Sequence, residues 1–194
     1  MNTPSETLKG GLINMAAFLP TSLVNGPGLR TVVWVQGCPR RCPGCFNQDM
    51  LEVKDRQLVS AIELAGRILA ESGIEGVTFS GGEPFAQAAA LAVLAELLVE
   101  HGLTIMIFTG YRYEELKAAA NPEWNRLLAV TDLLVAGPYI EQQQSRDYLR
   151  GSANQELIFL TARLQQHPDI VNQAGQAREF IIDNAGNIIV SGLG

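Results

Sequence analysis

Short apolar runs alternate with longer segments of helical periodicity along most of the chain. Four apolar runs, each followed by a glycine within two residues, predict buried strands at residues 31–36, 77–80, 103–108 and 132–136. A further strand is predicted at residues 156–160. Strands that alternate with helices are typical of a parallel sheet covered by helices, so the sequence predicts an α/β fold.

The predicted helices are marked by apolar residues at helical spacing and by capping residues. Asp55 predicts the start of the first helix, which continues through Ser72 and stops at Gly73. Its apolar stripe has six members: Leu58, Ala61, Ile62, Ala65, Ile68 and Leu69. A second helix is predicted at about 86–101, and two short ones are predicted before Asn121 and around residues 124–129.

The last part of the chain has a different pattern. Two short apolar runs at residues 179–183 and 187–190 are joined by Asn184-Ala185-Gly186, which is typical of a β-hairpin. We expect this hairpin either to cover one edge of the sheet or to contact another subunit.

Composition narrows the class of protein. The 194 residues suit a single domain, with a core at about 12–160 and a C-terminal appendage at about 161–194. The net charge is −6 without a basic run, so we expect no nucleic-acid or membrane partner. No secretory signal and no apolar run long enough to cross a bilayer is evident. Three clustered cysteines favour the reducing cytoplasm over a disulfide framework.

All three cysteines lie within eight positions, at Cys38, Cys42 and Cys45. Thiolates this close together on a loop bent by proline and glycine can converge on one soft metal centre. A structural zinc ion needs four ligands, and the chain has no fourth cysteine. A [4Fe–4S] cube also normally takes four thiolates, so three would leave one iron open to a small molecule. A zinc knuckle and a simple electron carrier remain alternatives at this point.

A second motif, Gly81-Gly82-Glu83-Pro84, follows the predicted strand at residues 77–80. Two glycines let the backbone approach a ligand closely, and Glu83 supplies an acceptor for a positively charged group. Parallel strands place their carboxyl ends at one edge of a sheet, where ligands bind. We therefore expect the cysteine loop, this motif, Thr109-Gly110 and Gly137-Pro138-Tyr139 to face the same rim.

The two motifs together resemble those of the radical S-adenosylmethionine (radical SAM) superfamily. Three further strings are similar to the small radical-activating enzymes, above all those that activate anaerobic ribonucleotide reductase: Asn25-Gly26-Pro27-Gly28-Leu29-Arg30, Phe108-Thr109-Gly110-Tyr111 and Arg150-Gly151-Ser152-Ala153-Asn154-Gln155. The resemblance implies a partial (β/α) barrel of radical SAM type, with a mostly parallel sheet. It also implies a [4Fe–4S] cluster and S-adenosylmethionine as cofactors.

The resemblance assigns roles to individual residues. Cys38, Cys42 and Cys45 are expected to bind the cluster. The residues expected at the cofactor are Gly81, Gly82 and Glu83 at the methionyl amine, Gly44 and Phe46 at the adenine, and Gly137 and Tyr139 at the cavity wall. The relatives tend to carry aspartate where this chain has Asn25 and Ala136, and many radical SAM proteins carry an aromatic residue where this chain has Gly44.

The activity implied by the resemblance is the activation of a glycyl-radical enzyme. An electron from flavodoxin or ferredoxin would cleave S-adenosylmethionine, and the 5′-deoxyadenosyl radical would take a hydrogen atom from a glycine of the partner. No side-chain acid or base is needed, so no proton-transfer residue is predicted. Two alternatives remain: a small radical SAM enzyme that modifies a metabolite or peptide, and a non-enzymatic iron–sulfur electron carrier.

Overall fold

The computed structural model describes residues 11–172, 175–182, 186 and 188–192. Seven strands of this part of the chain form one sheet in the order β3-β1-β2-β4-β5-β6-β7. The strands are β1 (Leu12–Ser22), β2 (Arg30–Val35), β3 (Gln57–Ser60), β4 (Gly76–Gly81), β5 (Thr104–Thr109), β6 (Leu133–Ala136) and β7 (Glu156–Phe159).

The centre of the sheet is parallel and its flanks are antiparallel. Strands β2, β4, β5 and β6 pair in parallel, which confirms the predicted order of strands and helices. Strand β1 runs antiparallel to both β2 and β3, and β7 runs antiparallel to β6. The four parallel strands therefore end at the same edge of the sheet, where the predicted site residues follow them.

Helices cover one face of the sheet and form most of the core with it. They are α1 (Ala61–Leu69), α2 (Ala88–Glu100), α3 (Tyr113–Ala118) and α4 (Pro122–Ala129). The short α5 (Pro168–Val171) lies on the opposite face, where Ile170 packs. Alternate strand residues such as Phe79 and Ile107 join Leu91 and Leu94 of α2 in the main buried cluster. Strand residues of the other parity, such as Met106 and Val135, pack with Leu149 on the opposite face.

The prediction that the first helix begins at Asp55 was wrong. Residues Gln57–Ser60 form β3 because they pair with the start of β1, and Ser60 caps α1 by accepting a hydrogen bond from the Glu63 amide at 3.1 Å. Three members of the predicted apolar stripe are outside the core: Leu58 is 50% exposed on β3, and Ile62 and Leu69 are 75% and 36% exposed on α1.

The predicted C-terminal hairpin is confirmed. Strands β8 (Arg178–Ile182) and β9 (Ile188–Gly192) pair antiparallel and form a separate two-stranded sheet. Residues 183–185 and 187 of the predicted strand ends and turn lie outside the described residues. In the described part of the chain, we find no helix long and apolar enough to cross a membrane.

Candidate cluster and cofactor site

The loops at the carboxyl ends of the parallel strands surround a cavity of about 430 Å³. Three cysteines and eight of the other residues predicted or noted from the sequence line it together: Cys38, Cys42, Cys45, Phe46, Gly81, Gly82, Glu83, Thr109, Gly110, Gly137 and Tyr139. Parallel pairing of β2, β4, β5 and β6 brings these distant segments to one rim.

The cysteine loop is attached to the end of β2 by backbone hydrogen bonds. The amides of Gly37 and Cys38 donate to the carbonyls of Met50 and Leu51 at 2.8 and 3.1 Å. Cys38 is buried, whereas Cys42 and Cys45 are partly exposed, and all three thiols are free. Burial raises the pKa of the Cys38 and Cys45 thiols, so holding both as thiolates requires a compensating positive centre.

The donor set suits a cluster better than a single metal ion. Among the residues that the structure describes, no three His, Cys, Asp or Glu side chains are grouped closely enough to hold one ion. Thiolates that bind different iron atoms of a cube need not meet at one point, whereas the ligands of a zinc ion must. Three soft sulfur donors lining one cavity therefore fit an iron–sulfur cube.

The glycine motif lies directly against the cysteine loop. The Gly82 amide donates to the Val35 carbonyl at 2.7 Å, and the Glu83 amide donates to the Gly37 carbonyl at 2.9 Å. A Cβ on Gly82 would stand 2.2 Å from the Gly37 carbonyl oxygen, and Gly81 has a φ of +100°. Both positions therefore require glycine, and the motif and the cysteine loop share one backbone framework.

The carboxylate of Glu83 is fully buried and points at the next strand end. It accepts hydrogen bonds from the Phe85 amide at 3.0 Å, the Thr109 hydroxyl at 2.8 Å and the Gly110 amide at 2.9 Å. Burial nevertheless outweighs these bonds and raises the pKa of Glu83 to about 7. A cationic ligand in the cavity would offset that cost and favour the ionised carboxylate.

An aromatic pair forms another part of the cavity wall. The rings of Phe46 and Tyr139 have centroids 4.8 Å apart, and a Cβ on Gly151 would stand 3.0 Å from the Phe46 ring. The Gln155 side chain donates to the Gly137 carbonyl at 3.1 Å. Phe46 is 52% exposed and lines the cavity, so part of its side chain is free to contact a ligand. Such rings offer a stacking surface for a flat heterocycle.

Gly44 is placed differently from the other predicted site residues. It is not among the residues that line the cavity. A Cβ at this position would stand 2.8 Å from the carboxyl carbon of Glu141, and Gly44 has a φ of +71°. The structure therefore brings Gly44 against the segment that follows Tyr139 rather than into the cavity.

Several lining residues were not predicted from the sequence. Trp34 and Ala17 come from the face of β2 and β1 opposite the helices, and β1 was not predicted as a strand. Arg40 also lines the cavity, with its guanidinium 4.9 Å from the centre of the Tyr111 ring. The C-terminal hairpin also contributes, with Arg178 and residues 189–192. Its two apolar runs predicted a hairpin, but nothing in the sequence indicated that the hairpin lies at this rim.

Asn25 joins the hairpin to the rim. Its side chain donates to the Ser191 hydroxyl at 2.6 Å, and its backbone carbonyl accepts from the Thr78 hydroxyl at 2.8 Å. The buried Arg30 guanidinium in turn donates to Thr78 Oγ1 at 3.0 Å. The Asn25 side chain therefore serves as a hydrogen-bond donor to the hairpin.

Comparison with known proteins agrees with this site. Residues 24–158 match the family model described as "4Fe-4S single cluster domain". The anaerobic ribonucleoside-triphosphate reductase-activating protein of Vibrio cholerae serotype O1 is 34% identical over 161 residues, covering 77% of this chain and 99% of that protein. The chain belongs to this family of activating proteins. The family member of Escherichia coli strain K12 is 30% identical over 76% of this chain and 99% of its own length.

Two further similarities cover less of the chain. The pyruvate formate-lyase-activating enzyme of Clostridium pasteurianum is 42% identical over 98 residues, which are 47% of this chain and 41% of that enzyme. The crystal structure of QueE from Escherichia coli covers 57% of each chain at 20% identity, with a TM-score of 0.40. The family is one of radical SAM activases, whose cofactors are a [4Fe–4S] cluster and S-adenosylmethionine, and the donors lining the cavity are compatible with both.

Proposed function

We propose that this protein is a radical SAM activase that removes a hydrogen atom from a glycine of a glycyl-radical enzyme, namely an anaerobic ribonucleotide reductase. The observation that carries the proposal is the meeting of three free thiols and a buried carboxylate in one open cavity. Membership of the family of reductase-activating proteins supplies the class of partner.

Each predicted site residue has a role in this proposal. Cys38, Cys42 and Cys45 hold the [4Fe–4S] cluster through their sulfur atoms. Glu83, together with the Gly81-Gly82 backbone, accepts hydrogen bonds from the methionyl ammonium of S-adenosylmethionine. When bound, the reduced cluster and S-adenosylmethionine supply the radical that removes the hydrogen atom.

The remaining residues position the cofactor and limit access of water. Phe46 and Tyr139 offer their rings to the adenine, and Gly137 leaves space beside them. Gly44, although outside the lining, sets the turn that carries Cys45 and Phe46. A carbon radical reacts with most molecules that reach it. The cavity wall therefore protects the reaction by excluding other molecules.

We also infer the wider setting of the site. The chain is a single radical SAM domain over residues 1–194, with a core at about 12–160 and a C-terminal appendage, and its sheet is a partial (β/α) barrel. The concave arrangement of loops around the cavity supports the barrel. A reduced flavodoxin or ferredoxin is the electron donor. Three clustered free thiols support a location in the cytoplasm.

The test is the formation of a glycyl radical. The anaerobically reconstituted protein is mixed with S-adenosylmethionine, a reductant and the purified anaerobic ribonucleotide reductase of the same organism, and the product is examined by EPR. We expect a glycyl-radical signal with the wild type and none with Cys42→Ala. If the protein cleaves S-adenosylmethionine but no glycyl radical forms, it would instead be an enzyme that modifies a metabolite or peptide. If it does not cleave S-adenosylmethionine, the remaining function is that of an electron carrier.

A further inference from the structure

The C-terminal hairpin has an inner face that contacts the rest of the protein and an outer face that does not. Side chains alternate between the two faces of a strand, and directly opposite residues share a face. Glu179 pairs with Ser191 on the inner face, next to the pair of Phe180 and Val190 on the outer face. The outer apolar face, as we call it, consists of Phe180, Ile182, Ile188 and Val190.

The inner face is fixed to the core by polar contacts. The Glu179 carboxylate accepts hydrogen bonds from the Leu23 amide and the Asn25 side chain, both at 3.4 Å. Ser191 accepts a hydrogen bond from the same Asn25 side chain at 2.6 Å. The hairpin is therefore docked with a defined side toward the protein, and its apolar side is turned away.

The apolar side chains of the outer apolar face are strongly exposed to solvent. Phe180 is 67% exposed, Ile182 70%, Ile188 65% and Val190 53%. Single exposed apolar residues are common on proteins, but four that are adjacent on one small sheet indicate an interaction surface.

This face is continuous with the cavity. Val190 belongs to the outer apolar face and also lines the cavity, beside Arg178 and Ile189 of the same hairpin. If the protein activates a glycyl-radical enzyme, as proposed above, the partner has to insert its glycine through the cavity mouth. Its surface around that glycine then comes to lie over the hairpin.

The hairpin also lies outside the part of the chain that the family model matches. The family model ends at residue 158. The relative from Vibrio cholerae is matched over 99% of its length, but the match uses only 77% of this chain. A segment that the shared chemistry does not require is suited to selecting a particular partner.

We propose that the outer apolar face is the docking surface for the glycyl-radical enzyme, which contributes an apolar patch next to its glycine loop. A second copy of this chain suits the face less well. A stable dimer buries about 800 Å² on each partner, whereas four partly exposed side chains present only a few hundred Å². A second copy seated there would also stand at the cavity mouth and exclude the protein substrate.

The test uses the double variant Phe180→Ser/Ile188→Ser, because neither residue lines the cavity. The matched control is Ile62→Ser, which replaces a residue that is 75% exposed on α1. Glycyl-radical formation is measured by EPR against increasing concentrations of the reductase, and S-adenosylmethionine cleavage is measured without the reductase. We expect the double variant to need at least about tenfold more reductase for half-maximal radical formation, because two apolar contacts are lost. Its cleavage of S-adenosylmethionine alone, and both properties of the control, should match the wild type.

The outcomes separate this inference from the proposed function. If the wild type forms no glycyl radical on the reductase, both are wrong. If the wild type forms it and the double variant has the same half-saturating concentration, only the docking surface is wrong. A double variant that fails to keep its cluster is replaced by Ile182→Ser, for which the same rise is expected. Sedimentation that shows a wild-type dimer and a monomeric variant would assign the face to a second copy and overturn the proposal.

Discussion

Replacing Glu83 by glutamine removes the charge of the buried carboxyl group and keeps its size. Burial raises the pKa of Glu83 from 4.5 to about 7, so the folded protein holds this proton more tightly than the unfolded chain does. The contribution of Glu83 to stability is therefore fully present below pH 4.5 and is lost as the pH rises to about 7. The whole loss is about 3 kcal/mol, of which about 2.5 kcal/mol falls between pH 5 and 8.

The assay is urea unfolding of the cluster-free wild type and of Glu83→Gln at several pH values. Other groups titrate in the same range, so the quantity of interest is the difference in unfolding free energy between the two proteins. We expect this difference to move by about 2.5 kcal/mol in favour of the variant between pH 5 and 8. Glu114→Gln, at an exposed position on α3, controls for the loss of a surface carboxyl.

The same variant should bind S-adenosylmethionine more weakly at pH 8. An amide cannot form the charge-assisted hydrogen bond that a carboxylate forms with an ammonium group, which is a difference of about 1.5–3 kcal/mol, or roughly 10- to 150-fold in Kd. Calorimetry on the cluster-loaded protein measures it. A pH-independent stability difference together with unchanged affinity would refute the reasoning about this carboxylate.

Two further substitutions test the framework and the wall of the cavity. Gly82→Ala should lower the unfolding free energy by about 1–3 kcal/mol, since its Cβ would stand 2.2 Å from the Gly37 carbonyl oxygen. Gly66→Ala on α1, where a Cβ meets nothing within 4 Å, should be neutral or stabilising in the same denaturation assay, and equal effects would contradict the proposed clash. Phe46→Ala should weaken S-adenosylmethionine binding about 3- to 10-fold in calorimetry while the absorbance of the cluster is retained. Val53→Ala, at an exposed residue outside the lining, should leave the affinity unchanged, and a wild-type affinity in Phe46→Ala would exclude stacking on that ring.

The parallel part of the fold was predictable because its signals are local. Buried parallel strands are continuous apolar runs, and here each predicted run is followed by a glycine, such as Gly81, which is the last residue of β4. The antiparallel flank was not predictable in the same way. Leu12–Ser22 contains Asn14 and Pro20 and becomes β1 through its partners, and Gln57–Ser60 becomes β3 by pairing with it. Pairing with a distant segment outweighed the helical spacing around Leu58.

The sequence predicted the chemical groups of the site but not all of the residues that line the cavity. The cysteines and Glu83 carry donor types that suggest a role wherever they lie. Ser191 and Val190 carry no such signal, and the contacts of the hairpin with Leu23 and Asn25 bring them to the cavity. Glu83 illustrates the same limit, since its raised pKa results from burial among Phe85, Thr109 and Gly110, which come together only in the fold.

The direct hydrogen bonds between the glycine motif and the cysteine loop have a consequence for damage by oxygen. The Glu83 amide donates to the Gly37 carbonyl, and the Asn47 side chain donates to the Gly81 carbonyl at 3.2 Å. Oxidative loss of the cluster would remove the attachments of its three thiolates and leave the cysteine loop with its backbone hydrogen bonds alone, which would loosen the support that the loop gives to the methionine-binding backbone. An aerobically damaged molecule would thus bind S-adenosylmethionine more weakly as well as lacking its iron.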